Sequence, residues 1–229
     1  MAPASKPTRS AKSHEYHPAF EEYCETIFEL QEDAVDVIQA RIADRMEISR
    51  PAVSEMIKRM AAEGLITVDS TIQLTVAGIE LAESVVRRHR LAERLLTDVL
   101  GLSWAVAHTE AGKWEHIISP EVEVALVRVL GEPTTCPHGN PIPGSDYAVP
   151  DTVALGRLAV GSNFTVNRIP EELEFTPGVL DFLEQHSLVP GTAGVVTSME
   201  ADGRISVDIA GHSVDIGAFA SDRILVSAD

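Results

Sequence analysis

Histidine and glutamate residues recur at helical spacing in two neighbouring segments of the chain. His89 and Glu93 are four residues apart, and His108 is followed by Glu115 and His116. Because steps of three, four and seven residues return to one side of a helix, each segment predicts a face that carries imidazole and carboxylate groups. Nitrogen and oxygen donors together suit a divalent transition metal. The two segments therefore predict a metal site between two helices.

A third pair of carboxylates lies near the N-terminus. Residues 17–32 predict a helix with an apolar stripe, and Glu22 and Glu25 lie one turn apart on another face of it. Taken alone, such a pair is typical of a solvated acidic face. The two carboxylates become candidate ligands only if this face turns toward His89 and Glu115.

A helix, a short turn, a capped helix and a hairpin follow. Residues 36–46 and 50–60 predict two helices, with Ser49 as N-cap and Pro51 in the first turn of the second. Alternating residues in 65–75 predict the two strands of a β-hairpin. This order predicts a winged helix-turn-helix, whose second helix enters a DNA major groove. The alternative, a helical hairpin without a nucleic-acid role, is disfavoured by the local charge.

That charge is basic although the whole chain is strongly acidic. The net charge is −17, yet residues 41–59 contain five basic and three acidic side chains. A locally basic element on an acidic protein fits a DNA reader whose other parts bind cations. The expected contacts with double-stranded operator DNA come from the second helix and from one arginine ahead of it: Arg41, Ser49, Arg50, Pro51, Ala52, Ser54, Glu55 and Lys58.

The N-terminal segment lacks an apolar core and predicts a disordered basic arm rather than a signal peptide. No run of 18 apolar residues predicts a transmembrane helix, so we expect no membrane partner. Two distant cysteines, Cys24 and Cys136, predict a reduced, cytoplasmic protein without a disulfide framework.

Beyond the hairpin, residues 75–100 predict a long helix, and residues 119–130 predict a helix with more apolar surface than one side needs. We interpret the second as part of a homodimer interface. In the Pro- and Gly-rich connector that follows, Cys136 and His138 have no second Cys or His pair nearby, which disfavours a structural zinc site. Short alternating runs after residue 153 predict a small SH3-like β-barrel.

The predicted fold is therefore mostly α with a small β part. We expect four consecutive parts: a disordered basic arm (1–15), a winged helix-turn-helix DNA-binding domain (16–80), a helical metal-binding and dimerisation domain with the Pro-rich connector (81–150), and an SH3-like domain (151–229).

Several separated motifs, in order, resemble the diphtheria-toxin-repressor family of metal-dependent transcriptional regulators. They cover nearly the whole chain after the arm: Ala40-Arg41-Ile42-Ala43-Asp44-Arg45, Ser49-Arg50-Pro51-Ala52-Val53-Ser54, His89-Arg90-Leu91-Ala92-Glu93-Arg94-Leu95-Leu96, Trp114-Glu115-His116 and Gly139-Asn140-Pro141-Ile142-Pro143-Gly144. The resemblance implies a DNA-binding repressor of metal-uptake genes, not an enzyme, with two ions per subunit.

The resemblance also implies two ligand sets. An ancillary-type site would use His89, Glu93 and His108, with Glu171 and Glu174 from the SH3-like domain. A primary-type site would use Glu22, Glu115 and His116. The carboxylates Glu22 and Glu25, one turn apart, resemble the manganese-sensing branch, and hard oxygen ligands suit Mn2+. The chain departs from both branches at Gly112, where they place a side-chain ligand.

Three alternatives remain open at this point. One is a repressor of the same family that answers to Fe2+. Another is a metal-dependent hydrolase, because His and Glu pairs can activate water; no nucleophile, oxyanion donor or substrate motif accompanies them. The third is a winged-helix regulator of an organic ligand, although we expect no organic substrate as partner.

Overall fold

The computed structural model describes residues 18–228, so the predicted arm and His17 lie outside the described residues. The N-terminal domain contains three helices and a hairpin: α1 (Pro18–Glu32), α2 (Gln39–Arg45), α3 (Arg50–Ala62), β1 (Ile66–Val68) and β2 (Ile72–Leu74). The two strands are antiparallel, with Thr67 opposite Gln73. The predicted winged helix-turn-helix is thus the observed architecture.

Helix α3 begins as its sequence predicts. The Ser49 side chain accepts a hydrogen bond from the backbone N–H of Ala52, and Pro51 occupies the first turn, where no intrahelical donor is needed. Gly64, after the helix, has a φ of +76°, a left-handed conformation that favours glycine. Val53 is buried against α1 and α2, which leaves the opposite face of α3 exposed.

The central domain contains three helices: α4 (Val76–Arg94), α5 (Trp104–Trp114) and α6 (Pro120–Val129). The long helix expected over 75–100 is α-helical only to Arg94, and a π-helical segment, Leu95–Val99, follows it. Gly101, with a φ of +70°, ends this segment. Helix α4 packs against α1, α5 and α6, so it connects the N-terminal domain with the rest of the chain.

The C-terminal domain is a six-stranded antiparallel sheet with the order β3-β8-β4-β5-β6-β7. It matches the predicted SH3-like domain and comprises β3 (Val153–Ala154), β4 (Asn163–Arg168), β5 (Ala193–Met199), β6 (Ile205–Ile209), β7 (His212–Ile216) and β8 (Leu225–Ala228). Three short helices are inserted: α7 (Glu171–Glu174), α8 (Val179–Gln185) and α9 (Ala218–Ser221). The alternating runs at 152–159, 164–169, 192–199, 204–209 and 223–226 predict five strands. The first is much shorter in the structure, because a 3-10 turn, Leu155–Arg157, follows it, and β7 is an additional strand.

Two arginines tie the C-terminal end of α1 to the sheet domain. Arg90, fully buried on α4, is 2.7 Å from Glu32 and 2.9 Å from Glu171. Arg168, at the end of β4, is 2.7 Å from Asp33. A buried arginine needs such partners, because its charge is costly to remove from water unless it is paired and hydrogen-bonded. These contacts bring α1, α4 and α7 to one junction.

None of the helices within residues 18–228 is long and apolar enough to cross a membrane. Large apolar side chains nevertheless remain exposed on the central domain, and Ile117 is 77% exposed. Others in the segments from the end of α4 to α6 are Val99, Leu100, Val106, Val122, Val124 and Val129. Such a concentration of exposed apolar groups is typical of a protein–protein interface. It agrees with the expectation that this region, including α6, faces a second subunit.

A charge placed on this surface should dissociate the dimer. We expect Ile117→Glu and Val124→Glu each to weaken self-association at least ~10-fold, or about 1.4 kcal/mol, because an unpaired carboxylate would be buried between subunits. Sedimentation velocity across a concentration series measures this. Val160→Glu, at a site that is 58% exposed in the sheet domain, is the matched control. Dimerisation unchanged in both variants would contradict the assignment.

Candidate metal centre

Helices α4, α5 and α7 bring four predicted ligands together in an inner cluster, defined as His89, Glu93, His108 and Glu174. The one-turn spacing on α4 places His89 Nε2 3.3 Å from Glu93 Oε1. His108 Nδ1 of α5 lies 3.0 Å from Glu93 Oε1 and 3.2 Å from Glu174 Oε2. Donor atoms at such separations could surround one divalent cation.

Glu171, the fifth residue expected at this site, is divided between two roles. Its Oε1 is paired with Arg90 at 2.9 Å. Its Oε2 is buried and lacks a hydrogen-bond partner among residues 18–228. It lies close enough to His108 and Glu174 to belong to the same group of candidate ligands. Glu171 can therefore hold Arg90 with one oxygen and face the inner cluster with the other.

The outer cluster, defined as Glu21, Glu22, Glu25, Glu115 and His116, joins α1 to the end of α5. His116 Nε2 is 3.0 Å from Glu22 Oε1 and 3.2 Å from Glu115 Oε1. Its Nδ1 is 2.6 Å from Glu21 Oε2. Helix α5 ends at Trp114, so Glu115 and His116 lie just beyond it rather than within the helix as predicted.

Glu25 shows that the acidic face of α1 is not simply solvated. Glu25 is only 8% exposed, and its carboxylate forms a group of candidate ligands with His89 and Glu115. Glu22 remains half exposed, with 51% of its side chain accessible. The face of α1 thus turns toward His89 and Glu115, which was the condition set by the sequence for these carboxylates to act as ligands.

His89, a member of the inner cluster, also contacts the outer cluster through its second ring nitrogen. Nε2 faces Glu93 and His108, whereas Nδ1 lies 2.5 Å from Glu115 Oε2. A cation bound at Nε2 requires the ring proton on Nδ1, where it donates to Glu115. Occupation of one cluster therefore affects the charge and hydrogen bonding of the other.

A cavity of about 520 Å3 extends along both clusters. Its lining includes Glu22, Glu25, His89, His108 and Gly112. A Cβ atom built on Gly112 would have no neighbour within 4 Å. The position where the resemblance implies a side-chain ligand therefore has room for one.

Burial and mutual contact shift the pKa values of both clusters. Burial raises the pKa of Glu25 well above its ordinary value, and the nearby Glu115 raises it further. Burial opposes the charge on His108, but the carboxylates of Glu174 and Glu93 outweigh it and raise the pKa of His108 to about 10. Hydrogen bonds to Glu21 and Glu22 raise the pKa of His116 to about 10. Protons thus balance the buried carboxylates here, and a divalent cation could replace them.

Sequence reasoning missed three residues that touch these clusters. Glu21 directly precedes the predicted ligand Glu22, but of these two neighbours only Glu22 was considered as a ligand. Cys136 and His138 were discounted because their partners were sought nearby in the sequence. The fold instead places them beside Glu93, with His138 Nδ1 3.5 Å from Glu93 Oε1.

Most of the predicted DNA-contacting residues are exposed. Ser54 is half-buried. The seven others are exposed: Arg41, Ser49, Arg50, Pro51, Ala52, Glu55 and Lys58. Small side chains at the start of α3 allow close approach to a duplex, and the flanking basic groups can contact phosphates.

Two family matches divide the chain in the same way as the fold. Residues 16–71 match the iron-dependent repressor N-terminal DNA-binding domain, and residues 75–144 match the iron-dependent repressor metal-binding and dimerisation domain.

Individual relatives agree with these matches. The iron-dependent repressor IdeR of Mycobacterium tuberculosis is 40% identical over 207 residues, covering 84% of this chain and 89% of that protein. The diphtheria toxin repressor of Corynebacterium diphtheriae is 49% identical over 142 residues, covering 58% of this chain and 63% of that protein.

Solved structures are similar along most of the chain. A manganese-dependent transcriptional repressor in complex with manganese superposes with a TM-score of 0.83 at 30% identity, covering 92% of this chain and 100% of that one. The manganese regulator SloR gives a TM-score of 0.75 at 29% identity, covering 92% and 98%.

The pKa shifts predict how stability depends on pH when a chelator keeps cations away. His108 and His116 have folded pKa values raised from 6.5 to about 10, so their contribution is complete below pH 6.5 and is lost as pH rises toward 10. The raised pKa of Glu25 acts in the same direction. We expect Tm in chelator to fall between about pH 6.5 and about pH 9.5.

Addition of Mn2+ should reverse this trend, because the cation binds deprotonated ligands and stabilises more as protons cease to compete. Differential scanning calorimetry with and without chelator measures both slopes. His116→Gln should flatten the slope in chelator, whereas His212→Gln, at the exposed first residue of β7, should leave it unchanged. A Tm in chelator that rises across this range would contradict the charge balance described here.

Proposed function

Because the chain belongs to the iron-dependent repressor family of metal-dependent, DNA-binding transcriptional repressors, we propose that its corepressor is Mn2+ and that it represses metal-uptake genes. Binding of Mn2+ would involve the outer cluster and would be linked to the inner cluster through His89. The observation that carries this proposal is the composition of the outer cluster: four carboxylates and one imidazole, without a sulfur donor.

The donor chemistry supports Mn2+ over later metals at the outer cluster. Carboxylate oxygens suit Mn2+, whereas sulfur ligands favour Fe2+, Zn2+ and copper. The repressor structure with a TM-score of 0.83 is described as a complex with manganese. Cys24, the sulfur nearest this face of α1 in sequence, is fully buried in the core of the N-terminal domain and belongs to no group of candidate ligands formed by residues 18–228.

The arrangement of the ligands supports a mechanism based on linkage. Glu22 and Glu25 belong to α1, which packs in the DNA-binding domain, whereas Glu115 and His116 belong to the dimerisation domain. A bound cation supplies positive charge and bonds that draw these carboxylates together. The two DNA-binding domains of a dimer then take a fixed separation, and metal affinity and DNA affinity must strengthen each other.

Repression of uptake genes follows from the direction of this linkage. If operator binding requires the cation, transcription falls when the cation is plentiful. Genes whose products import the same cation would then close a negative feedback loop.

Fe2+ is the second candidate, and a specific observation favours it. The relative that is 40% identical to 84% of the chain is an iron-dependent repressor. Fluorescence anisotropy of operator DNA titrated with Mn2+, anaerobic Fe2+ and Zn2+ separates the candidates. If Fe2+ activates DNA binding at a lower free concentration than Mn2+ does, then Fe2+ and not Mn2+ is the corepressor.

Loss of the His89 imidazole should weaken the effect of the metal ion on DNA affinity. We expect Mn2+ to tighten binding of wild-type protein to a duplex selected from a random pool, and His89→Ala or Glu93→Ala to reduce that tightening at least ~10-fold. Both variants should remain folded by circular dichroism. His212→Ala, an exposed histidine outside both clusters, is the matched control. Equally tight DNA binding with chelator and with Mn2+ would refute metal-dependent repression.

An acidic side chain introduced at residue 112 should strengthen metal binding at the outer cluster. Gly112 lies in α5, lines the cavity and has open space at its Cβ, so Gly112→Glu could add a carboxylate donor. We expect Mn2+ to bind this variant ~10-fold more tightly, about 1.4 kcal/mol, by isothermal titration calorimetry. Gly112→Ala controls for helix propensity, which alone contributes up to ~1 kcal/mol to folding but adds no ligand. Equal Mn2+ affinity in the two variants would exclude residue 112 as a ligand position.

A further inference from the structure

The ring of Phe175 lies between the inner cluster and the DNA-binding domain. Phe175 directly follows Glu174, the last residue of α7, and its ring stands at 86° to the ring of His108, with centroids 5.1 Å apart. The guanidinium carbon of Arg45, the last residue of α2, lies 4.4 Å from the centroid of the same ring. One aromatic side chain therefore contacts both a candidate metal ligand and the first helix of the helix-turn-helix.

Arg45 depends on this ring because its charge has few other partners. Its side chain is only 7% exposed, and its Nη1 is 3.4 Å from Glu29 Oε2, which is a long ion pair. Its Nη2 is buried and has no hydrogen-bond partner among residues 18–228. The attraction between a guanidinium group and an aromatic face strengthens when the pair is withdrawn from water. The face of Phe175 is therefore a main stabilising contact of this buried cation.

A short turn links Arg45 to the recognition helix. Only residues 46–49 separate it from the start of α3. Within this turn, Ile48 N–H donates to the carbonyl oxygen of Ala43 at 3.1 Å, and Glu47 has a φ of +54°. Because the turn is short and hydrogen-bonded to α2, a shift of Arg45 must also move the start of α3, where the expected DNA contacts lie.

Helix α7 carries Phe175 on the same turn as two candidate ligands. Phe175 N–H donates to the carbonyl oxygen of Glu171 at 3.2 Å, and Leu173 between them is fully buried in the core of the sheet domain. A cation held by His108 and Glu174 would fix α5 and α7 relative to each other. The ring of Phe175 contacts the first of these helices and belongs to the end of the second, so its position would be fixed as well.

Phe219 provides a comparison within the same domain. It is 44% exposed, against 47% for Phe175, and both rings line a cavity of about 370 Å3 between the α1–α2 region and the sheet domain. The guanidinium carbon of Arg223 lies 3.9 Å from the Phe219 centroid, but Arg223 belongs to the sheet domain and pairs with Glu172 there. Among the arginines that stack on aromatic rings within residues 18–228, Arg45 is the one that joins two domains.

We propose that Phe175 is a positioning residue that transmits occupation of the inner cluster to the DNA-binding domain. With a cation bound, the ring is held beside His108 and presents a fixed face to Arg45, so α2 and the start of α3 take one position relative to the metal centre. Without a cation, α5 and α7 are joined less firmly, and the restraint on Arg45 weakens. This inference rests on the proposed function in that it assigns a route to the linkage between metal and DNA.

Substitution of Phe175 tests the proposal in the full-length protein. The measured quantity is the ratio of the DNA Kd in chelator to the DNA Kd with saturating Mn2+. We expect Phe175→Leu, which keeps apolar bulk but removes the aromatic face, to reduce this ratio at least ~5-fold, and Phe175→Tyr to retain it. The affinity for Mn2+ without DNA should stay within ~2-fold of wild type by isothermal titration calorimetry, because Phe175 is not a ligand. Phe219→Leu is the matched control and should keep the wild-type ratio.

A double-mutant cycle tests whether Arg45 receives the effect. Arg45→Met removes the cation and keeps an unbranched apolar chain. Combined with Phe175→Leu, it should reduce the ratio no more than either single substitution does, because both remove the same contact. Circular dichroism and Tm verify that each variant folds. Reductions that multiply in the double variant would contradict transmission through this pair.

Hydrogen exchange separates this inference from the proposed function, because it needs no DNA. We expect Mn2+ to slow amide exchange in residues 42–48 of wild type and of Phe219→Leu, but not of Phe175→Leu. Equal slowing in all three proteins, or an unchanged ratio of DNA Kd values in folded Phe175→Leu, would overturn the inference. If wild-type DNA binding is the same in chelator and in Mn2+ while the exchange pattern depends on Phe175, the proposed function alone is overturned.

Discussion

Burial of carboxylates and imidazoles where three domains meet is the constraint on which the rest of this structure depends. Glu25, Glu93, Glu115 and Glu174 are all buried, and an ionised group away from water is costly unless it is paired. Their compensating partners come from other elements: His108 from α5 for Glu93 and Glu174, and His89 from α4 for Glu115. Any change in how these charges are balanced must therefore act on the relative positions of the domains. A junction built in this way is suited to binding cations, because buried carboxylate oxygens of Glu25, Glu93 and Glu174 lack a hydrogen-bond partner among residues 18–228.

The sequence predicted the elements of this junction better than its contacts. Helical spacing identified His89, Glu93 and His108, because residues one or two turns apart share a face whatever the tertiary structure. Glu171 and Glu174 could be placed there only through the family resemblance, since α7 lies far along the chain. The same limit explains why His138 was discounted. Its partners, Glu93 and Glu174, are distant in sequence, and only the packing of the connector against β4 brings them within reach.

Local departures from the predicted secondary structure also have physical causes. The long helix expected to reach Leu100 changes to a π-helical segment after Arg94, and periodicity alone does not distinguish the two over five residues. Strand β7 is not among the predicted runs, although a turn with Ala210 at a φ of 52° directly precedes it and connects it to β6 as a hairpin. By contrast, Ser49 and Pro51 predicted the start of α3 correctly, since capping depends on neighbouring residues.

The two ends of α1 are held by different kinds of ion pair, and only one of the two kinds can be replaced by a bound cation. At the C-terminal end, Glu32 is paired with Arg90 and Arg168, whose guanidinium groups donate hydrogen bonds but have no acceptor atom to offer a cation. At the N-terminal end, the ion pairs formed within residues 18–228 join Glu21 and Glu22 to His116 and, at a longer distance, Glu21 to Arg88. The imidazole can exchange its proton for a cation, whereas the guanidinium groups cannot. Helix α1 is therefore anchored where it meets the sheet domain and adjustable where it meets the end of α5. Binding of a cation there would therefore act on the N-terminal end of α1, while the ion pairs at its C-terminal end stay in place.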